Sequence, residues 1–300
     1  MKIGSLFKVE GLVTVVTGGA SGIGHALGEA MATNGARVTL LDNNKAALTA
    51  AAEDLTSRVK AIGPTLTRNV PQAEHSGLSH QQGRGDDRSV FGAVVDVTDK
   101  ASLARTFNAI AEREGRIDVV FANAGISGGP GFLGTDGQRE PSRAIENISD
   151  DLWDRVIETN LSSIFKTIQV AVPHLKRAGG GRIIVTSSIS AIKTENYVGA
   201  AYVASKAGVA QLVRQAAIEL AAYNIQVNAI APGPCITNIG GGRLHERAAQ
   251  EFFARLHPNH RMATPEDMQG AALYLASPAS RHVNGASIVI DGGFSLGIAD

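Results

Sequence analysis

The fold class is decided by one stretch near the N-terminus, which reads Leu12-Val13-Thr14-Val15-Val16-Thr17-Gly18-Gly19-Ala20-Ser21-Gly22-Ile23-Gly24. Its first half is an apolar run rich in β-branched residues, which is typical of a strand buried on both faces. Glycines end this run, and residues 22–33 then carry alanine, leucine and methionine at helical spacing. The stretch therefore predicts a buried strand, a tight turn and a helix.

The same alternation of strand-like and helix-like segments continues along the chain. Segments of these lengths are typical of right-handed βαβ units around a parallel sheet. No internal repeat or shift in composition marks a second domain. Residues 1–300 are therefore predicted to form a single-domain α/β protein, with a Rossmann-type doubly wound parallel sheet in a three-layer αβα arrangement. After the first strand, strands are predicted at residues 37–41, 91–95, 117–121, 182–186, 225–229 and 287–290, and helices at residues 22–33, 45–59, 102–114, 151–175, 201–223, 246–256 and 265–276.

Two long segments, residues 60–90 and 126–149, interrupt this alternation. Loops of such length in a compact domain are usually functional or disordered. Residues 60–90 follow a predicted helix, which places them at the amino ends of the parallel strands. Residues 126–149 follow a predicted strand and so lie at the carboxyl ends, where ligands bind. We expect the first segment to be a solvated excursion and the second to border the functional site.

The glycines of the first turn suit the binding of a dinucleotide. Gly18 and Gly22 allow the backbone to reverse tightly and approach a diphosphate, and Gly24 allows the helix to pack closely on the sheet. The helix N-terminus presents free N–H groups and the positive end of its dipole to phosphate. The alternative is an ordinary tight turn without a ligand, but its place after the first strand favours a cofactor.

Asp42 ends the second predicted strand and bears on the choice of cofactor. An acid at this position accepts hydrogen bonds from the adenosine ribose diol and repels a 2′-phosphate. The alternative role is a helix N-cap, and both roles are compatible. Because Ser21, and not a basic residue, precedes Gly22, the sequence favours NAD over NADP.

Tyr202 and Lys206 begin a predicted helix, and their i, i+4 spacing places both side chains on one face. A free tyrosine has a pKa near ~10, so proton exchange at neutral pH requires a decrease of about 3 units. A partly desolvated lysine together with a positively charged nicotinamide ring supplies the charge for such a shift. The alternative is an amphipathic surface pair without a catalytic role.

With these residues in place, the chain resembles the classical short-chain dehydrogenase/reductase family over almost its whole length, apart from residues 60–90 and part of 126–149. The resemblance is specific because several motifs occur together and in order. These are the glycine turn of residues 17–24, Asp96-Val97, Asn123-Ala124-Gly125, Asn160, Ser188, the Tyr202 and Lys206 pair, the segment from Pro232-Gly233 to Thr237, and Asp291-Gly292-Gly293.

The resemblance implies a role for each motif. Tyr202 would be the general acid/base, Ser188 would hold the substrate oxygen, Lys206 would lower the tyrosine pKa and bind the nicotinamide ribose, and Asn160 would hold a relay water. It further implies a homotetramer. The implied cofactor-binding residues are Gly18, Ser21, Gly22, Ile23, Gly24, Asp42, Asp96, Val97, Asn123, Ala124, Gly125, Tyr202, Lys206, Pro232, Gly233, Cys235 and Thr237.

Some positions depart from the family's pattern. The segment from Ser188 to Tyr202 is one residue longer than is frequent in the family, so Ser187, Ser188 and Ser190 compete for the catalytic role. We favour Ser188 because of its distance from Arg182 at the start of the preceding strand. For Cys235, a buried apolar filler is the alternative to a place beside the nicotinamide.

Bulk properties exclude several classes of function. Lys plus Arg and Asp plus Glu are both 28, so no basic surface for nucleic acid or anionic membrane is expected. The single cysteine, the absence of an 18-residue apolar run and an N-terminus without a signal-like segment indicate a cytoplasmic protein with no membrane span. No metal site is expected.

The leading hypothesis is an NAD-dependent oxidoreductase acting on a secondary alcohol or ketone. The alternatives are an epimerase, dehydratase or lyase on the same fold, and a catalytically silent dinucleotide sensor. The substrate is expected to be neutral and fairly apolar, because the residues expected to line the pocket include few fixed charges. These residues are Phe132, Leu133, Ile189, Ile192, Tyr197, Val198, Ile236 and Ile239.

Overall fold

The computed structural model describes residues 3–62 and 89–297. Within these ranges seven parallel strands form one sheet in the order β3-β2-β1-β4-β5-β6-β7. The order reverses direction beside β1, which confirms the predicted doubly wound parallel sheet. The strands are β1 Val13–Thr17, β2 Arg37–Asp42, β3 Val90–Val94, β4 Val119–Ala122, β5 Gly181–Thr186, β6 Ile225–Pro232 and β7 Ser287–Ile290.

Helices cover both faces of the sheet. The helices of the described residues are α1 Ile3–Leu6, α2 Gly22–Thr33, α3 Lys45–Ile62, α4 Lys100–Glu114, α5 Asp150–Ile157, α6 Ser163–Arg177, α7 Ala200–Leu220, α8 Arg247–Leu256 and α9 Gln269–Ala276. Buried residues of α4, α6 and α7 form one core with one face of the sheet. Buried residues of α2, α3 and α9 form a second core with the other face. The result is the predicted three-layer arrangement.

The central strands explain why the sequence shows unbroken apolar runs. In β4, Val120 and Ala122 belong to the core under α4, α6 and α7, whereas Val119 and Phe121 belong to the core under α2, α3 and α9. Successive side chains of a strand point to opposite faces, so a strand covered on both sides needs an apolar residue at every position. The five residues of β1 are likewise all buried.

The structure describes residues 126–149 but only the ends of the other long segment, residues 60–90. Residues 63–88 lie outside the described residues, so the solvated excursion expected for residues 60–90 stays a prediction. Residues 126–149 contain two 3₁₀ turns, Pro141–Arg143 and Ile145–Asn147, and isolated β-bridges at Pro130 and between Leu133 and Arg139. Within the described residues, no helix is long and apolar enough to cross a membrane.

Thr17 ties the end of β1 to the segment that follows β4. Its buried hydroxyl accepts hydrogen bonds from the backbone N–H groups of Asn123 at 2.9 Å and Ala124 at 3.1 Å. The same hydroxyl donates to the carbonyl of Phe121 at 3.4 Å. Thr14, in the same strand, is also buried, but its hydroxyl has no hydrogen-bond partner among the described residues.

These two threonines give a matched pair of variants. Thr17→Val should lower the free energy of unfolding by about 2–4 kcal/mol, because it leaves two backbone donors unsatisfied. Thr14→Val removes only an unpaired hydroxyl and should be neutral or stabilising. Urea denaturation followed by circular dichroism, at equal protein concentrations, compares the variants. Equal losses of stability in both variants would contradict the assigned role of Thr17.

Candidate active site

A cleft of about 1220 Å³ opens at the carboxyl ends of the central strands. Among the described residues, Gly24 and Asn160 are the predicted site residues that do not line it. The predicted site residues that line the cleft are Gly18, Ser21, Gly22, Ile23, Asp42, Asp96, Val97, Asn123, Ala124, Gly125, Ser188, Tyr202, Lys206, Pro232, Gly233, Cys235 and Thr237.

The glycine turn leaves room for a ligand only because side chains are missing there. Gly18 and Gly22 have positive φ angles of 65° and 53°, which favour glycine. A Cβ on Gly24 would lie 2.0 Å from the carbonyl oxygen of Gly18, so Gly24 allows α2 to start directly behind the turn. The N-terminus of this 12-residue helix opens on the cleft. Free backbone N–H groups at such a helix end fit a diphosphate.

Asp42 joins the end of β2 to the glycine turn. Its Oδ2 accepts a hydrogen bond from the backbone N–H of Ala20 at 3.2 Å, and its Oδ1 accepts from that of Asn44 at 3.0 Å. At the start of α3, the side chain of Asn44 accepts a hydrogen bond from the N–H of Ala47 at 3.1 Å. Asn44, and not Asp42, therefore caps the N-terminus of α3. Asp42 instead lines the cleft.

Two further residues that are predicted to bind the cofactor, Asp96 and Thr237, line the cleft. Asp96 accepts hydrogen bonds from the hydroxyl and the N–H of Thr98 at 2.7 and 2.9 Å, which hold the pKa of its carboxyl below the usual value. Thr237 faces the glycine turn, because a Cβ on Gly22 would lie 3.3 Å from its Cγ2. The cleft thus has walls on both sides of the turn.

A chain of hydrogen bonds links α7 to the glycine turn. The ammonium of Lys206 donates to the carbonyl of Thr186 at 2.8 Å. The hydroxyl of Thr186 donates to Oδ1 of Asn123 at 2.8 Å, and Nδ2 of Asn123 donates to the carbonyls of Thr17 at 3.1 Å and Gly18 at 3.3 Å. Sequence reasoning missed Thr186, although it ends β5 directly before the three candidate serines.

Lys206 is buried and Tyr202 is half-buried in the wall of the cleft, which excludes the alternative of an exposed surface pair. The ammonium of Lys206, whose residue is only 4% exposed, lies 5.6 Å from the centre of the Tyr202 ring. Burial lowers the pKa of Lys206 to about 8. Burial raises the pKa of Tyr202 to about 12, and the negative charge of Glu195 acts in the same direction. The pKa near 7 expected from the sequence is therefore not reached by Lys206 alone.

Of the three candidate serines, Ser188 lies against Tyr202. A hydrogen bond between the Ser188 hydroxyl and the phenol favours the ionised form of the tyrosine. Ser190 contacts Ser188 through two hydrogen bonds of 3.1 Å, one from its N–H and one between the hydroxyls. The hydroxyl of Ser187 is buried and has no partner among the described residues. The geometry therefore supports the choice of Ser188.

Asn160 supports the site from behind. It lies in a π-helical turn, Glu158–Ser162, that interrupts the helix predicted over residues 151–175. Its amide pairs with the backbone of Ile126 through bonds of 2.7 and 2.9 Å, and Nδ2 also donates to the hydroxyl of Ser205 at 3.3 Å. Asn160 thus fastens the segment after β4 to α7, and π-helical turns of this kind are frequent at functional sites.

The walls of the cleft are more polar than the sequence suggested. Of the eight expected apolar residues, Leu133, Ile189, Tyr197, Val198 and Ile239 line the cleft, whereas among the described residues Phe132, Ile192 and Ile236 do not. The expectation of few fixed charges is wrong. Charged residues beyond the predicted site line the cleft as well, namely Asp136, Glu140, Arg143, Arg155, Glu158, Glu195, Arg243 and Glu246.

Cys235 lines the cleft as a buried, unreactive thiol. It is 6% exposed, and burial raises its pKa to about 12, which keeps the sulfur protonated at neutral pH. A thiol in this state packs as a small apolar group. Within the described part of the chain, no cluster of three or more His, Cys, Asp or Glu residues suits a metal ion.

Comparison with known families agrees with the fold. A family model described as short chain dehydrogenase matches residues 12–76. A related model described as Enoyl-(Acyl carrier protein) reductase matches residues 69–295, which is most of the chain. The protein belongs to the short-chain dehydrogenase/reductase family, a family of oxidoreductases.

Relatives and solved structures cover nearly the whole chain. D-threitol dehydrogenase of Mycolicibacterium smegmatis is 31% identical over 97% of this chain and 95% of its own length. Sorbose reductase of Schizosaccharomyces pombe is 32% identical over 97% of this chain and 98% of its own. The crystal structure of levodione reductase has a TM-score of 0.77 at 28% identity, covering 95% of this chain and 98% of that one. The Pseudomonas aeruginosa RhlG/NADP active-site complex has a TM-score of 0.78 at 28% identity, covering 97% and 99%.

Proposed function

We propose that the protein is an NAD-dependent oxidoreductase that interconverts a secondary alcohol and a ketone. The observation that carries this proposal is the convergence of Tyr202, Ser188 and Lys206 in one corner of the cleft, joined by hydrogen bonds to the glycine turn. NAD, when bound along this turn, would supply or accept the hydride. Relatives named as dehydrogenases or reductases of threitol, sorbose and glycerol support a small hydroxylated substrate.

The residues of this corner divide the proton chemistry among them. Tyr202 takes the proton of the alcohol during oxidation and returns it during ketone reduction. Ser188 donates a hydrogen bond to the substrate oxygen and stabilises the negative charge that develops there. The ammonium of Lys206 favours the phenolate, and the positive charge of an oxidised nicotinamide ring would add to that effect. Asn160 holds the segment after β4 against α7, and the family resemblance implies that it would also hold a relay water.

Further properties rest on the family resemblance and the sequence. We propose a homotetramer, a cytoplasmic location, and a substrate that is a small neutral alcohol or ketone. Epimerase, dehydratase or lyase chemistry remains the alternative within this fold, and a silent dinucleotide sensor is another. A sensor would bind NAD without oxidising an alcohol. Measured turnover with NAD would therefore exclude that alternative.

Asp42 is proposed to set the preference for NAD over NADP. Its carboxylate lines the cleft beside the glycine turn, where a 2′-phosphate would meet a like charge. The native protein should therefore show a kcat/KM for NAD at least about tenfold higher than for NADP, equal to about 1.4 kcal/mol. Asp42→Asn should lower the ratio of kcat/KM for NAD to kcat/KM for NADP, because it removes the negative charge that repels the 2′-phosphate. Steady-state assays with both cofactors test it, and a native preference for NADP would contradict the proposed role.

Tyr202→Phe tests the proposed reaction directly. Loss of the hydroxyl should lower kcat by at least about 100-fold, because this hydroxyl is the proposed proton-transfer group. NAD binding, measured by calorimetry, should stay close to native because the ring is kept. Tyr223→Phe, a change at a half-exposed surface position, is the matched control and should retain activity. Turnover near the native rate in Tyr202→Phe would exclude Tyr202 as the proton-transfer group.

A further inference from the structure

Two serine hydroxyls connect the corner of Tyr202, Ser188 and Lys206 to Glu195, a carboxylate that the proposed mechanism does not use. The hydroxyl oxygens of Ser188 and Ser190 lie 3.1 Å apart, within hydrogen-bond distance, and the hydroxyl of Ser190 donates to Oε1 of Glu195 at 3.3 Å. Glu195 lines the cleft and lies close enough to Tyr202 for its negative charge to affect the phenol. The carboxylate of Glu195 is therefore linked through Ser190 to Ser188, the residue that contacts Tyr202.

This half-buried carboxylate has few partners among the described residues. Burial raises the pKa of Glu195, so its charged form is disfavoured by desolvation. Ser190 is its hydrogen-bond donor, and within residues 3–62 and 89–297 no Lys or Arg lies within ion-pair distance of it. The positive charge of the nearby Lys193 favours the ionised form of Glu195, but its ammonium makes its hydrogen bond to the carbonyl of Phe294, at 3.0 Å. An ionised carboxylate accepts up to about four hydrogen bonds, so most of its capacity is open to the cleft.

We propose that Glu195 determines substrate specificity by accepting a hydrogen bond from a second hydroxyl, on a carbon next to the one that reacts. This inference rests on the proposed function and names its substrate class as vicinal diols and the corresponding hydroxyketones. The reacting oxygen lies between Ser188 and Tyr202, and the neighbouring hydroxyl reaches toward Glu195. A half-buried acceptor that a mono-alcohol leaves unpaired, in a cleft closed by the bound substrate, discriminates against the mono-alcohol. The same carboxylate repels anionic substrates such as hydroxy acids.

A purely positioning role for Glu195 makes a different prediction. If it only oriented Ser190 and Ser188, its loss would slow the oxidation of every alcohol to a similar degree. Recognition of a second hydroxyl instead changes the ratio between a diol and the matching mono-alcohol. Butane-2,3-diol and butan-2-ol are suitable probes, because they differ by that one hydroxyl.

The experiment measures kcat/KM for both probes with saturating NAD in native protein, Glu195→Ala, Glu195→Gln and Glu53→Gln. Native protein should prefer the diol. Glu195→Ala should lower the ratio of diol to mono-alcohol at least about tenfold, mainly through a higher KM for the diol. Glu195→Gln keeps an acceptor of the same shape and should show a smaller decrease. Glu53→Gln, an equal charge change on the exposed surface of α3, should keep the native ratio.

The outcomes separate this inference from the proposed function. A ratio unchanged in Glu195→Ala, or an equal fall in kcat/KM for both probes, would overturn it and leave Glu195 a positioning residue. Native turnover of butan-2-ol without preference for the diol would also overturn it. If native protein neither oxidises alcohols with NAD nor reduces the corresponding ketones with NADH, the proposed function itself fails. Should Glu195→Ala not fold, as shown by circular dichroism, the ratio in Glu195→Gln decides.

Discussion

The ammonium of Lys206 is buried in the catalytic corner and donates to the carbonyl of Thr186 at 2.8 Å. Through Thr186 and Asn123 this contact continues to the carbonyl of Gly18 in the glycine turn. A buried charge of this kind is tolerated only where fixed dipoles hold it in place. Because the chain of bonds crosses the carboxyl ends of β5, β4 and β1, the proposed proton-transfer group and the cofactor turn have a fixed relative position.

The same burial governs the chemistry of Tyr202. Desolvation raises the pKa of the phenol to about 12, and Glu195 adds a negative charge nearby. Lys206, whose own pKa burial lowers to about 8, places an ammonium 5.6 Å from the centre of the Tyr202 ring. The tyrosine becomes a base near neutral pH only when further positive charge reaches the site. In the proposed mechanism, proton transfer by Tyr202 is thereby coupled to the presence of an oxidised cofactor, which limits this transfer to the productive complex.

Much of the fold could be predicted from the sequence. Strands covered on both faces of the sheet, such as β1 and β4, show a continuous apolar pattern, and the positive φ angle of Gly18 favours glycine in the turn. Tyr202 and Lys206 were found from their helical spacing. The π-helical turn at Asn160 was not, because it depends on bonds to Ile126 and Ser205, far away in the chain. Glu195 was missed because it lies in an irregular segment whose path is set by tertiary contacts such as the Pro130–Val198 bridge.

The central claim is that Tyr202 becomes a neutral-pH base in the complex with NAD. Ultraviolet titration of tyrosinate tests it, with the spectrum of Tyr202→Phe subtracted from that of native protein. Because the chain has only four tyrosines, the difference isolates one phenol. The pKa of Tyr202 should lie above that of free tyrosine without NAD and fall by at least about 2 units when NAD is saturating. An ionisation at the same high pH with and without NAD would contradict the account.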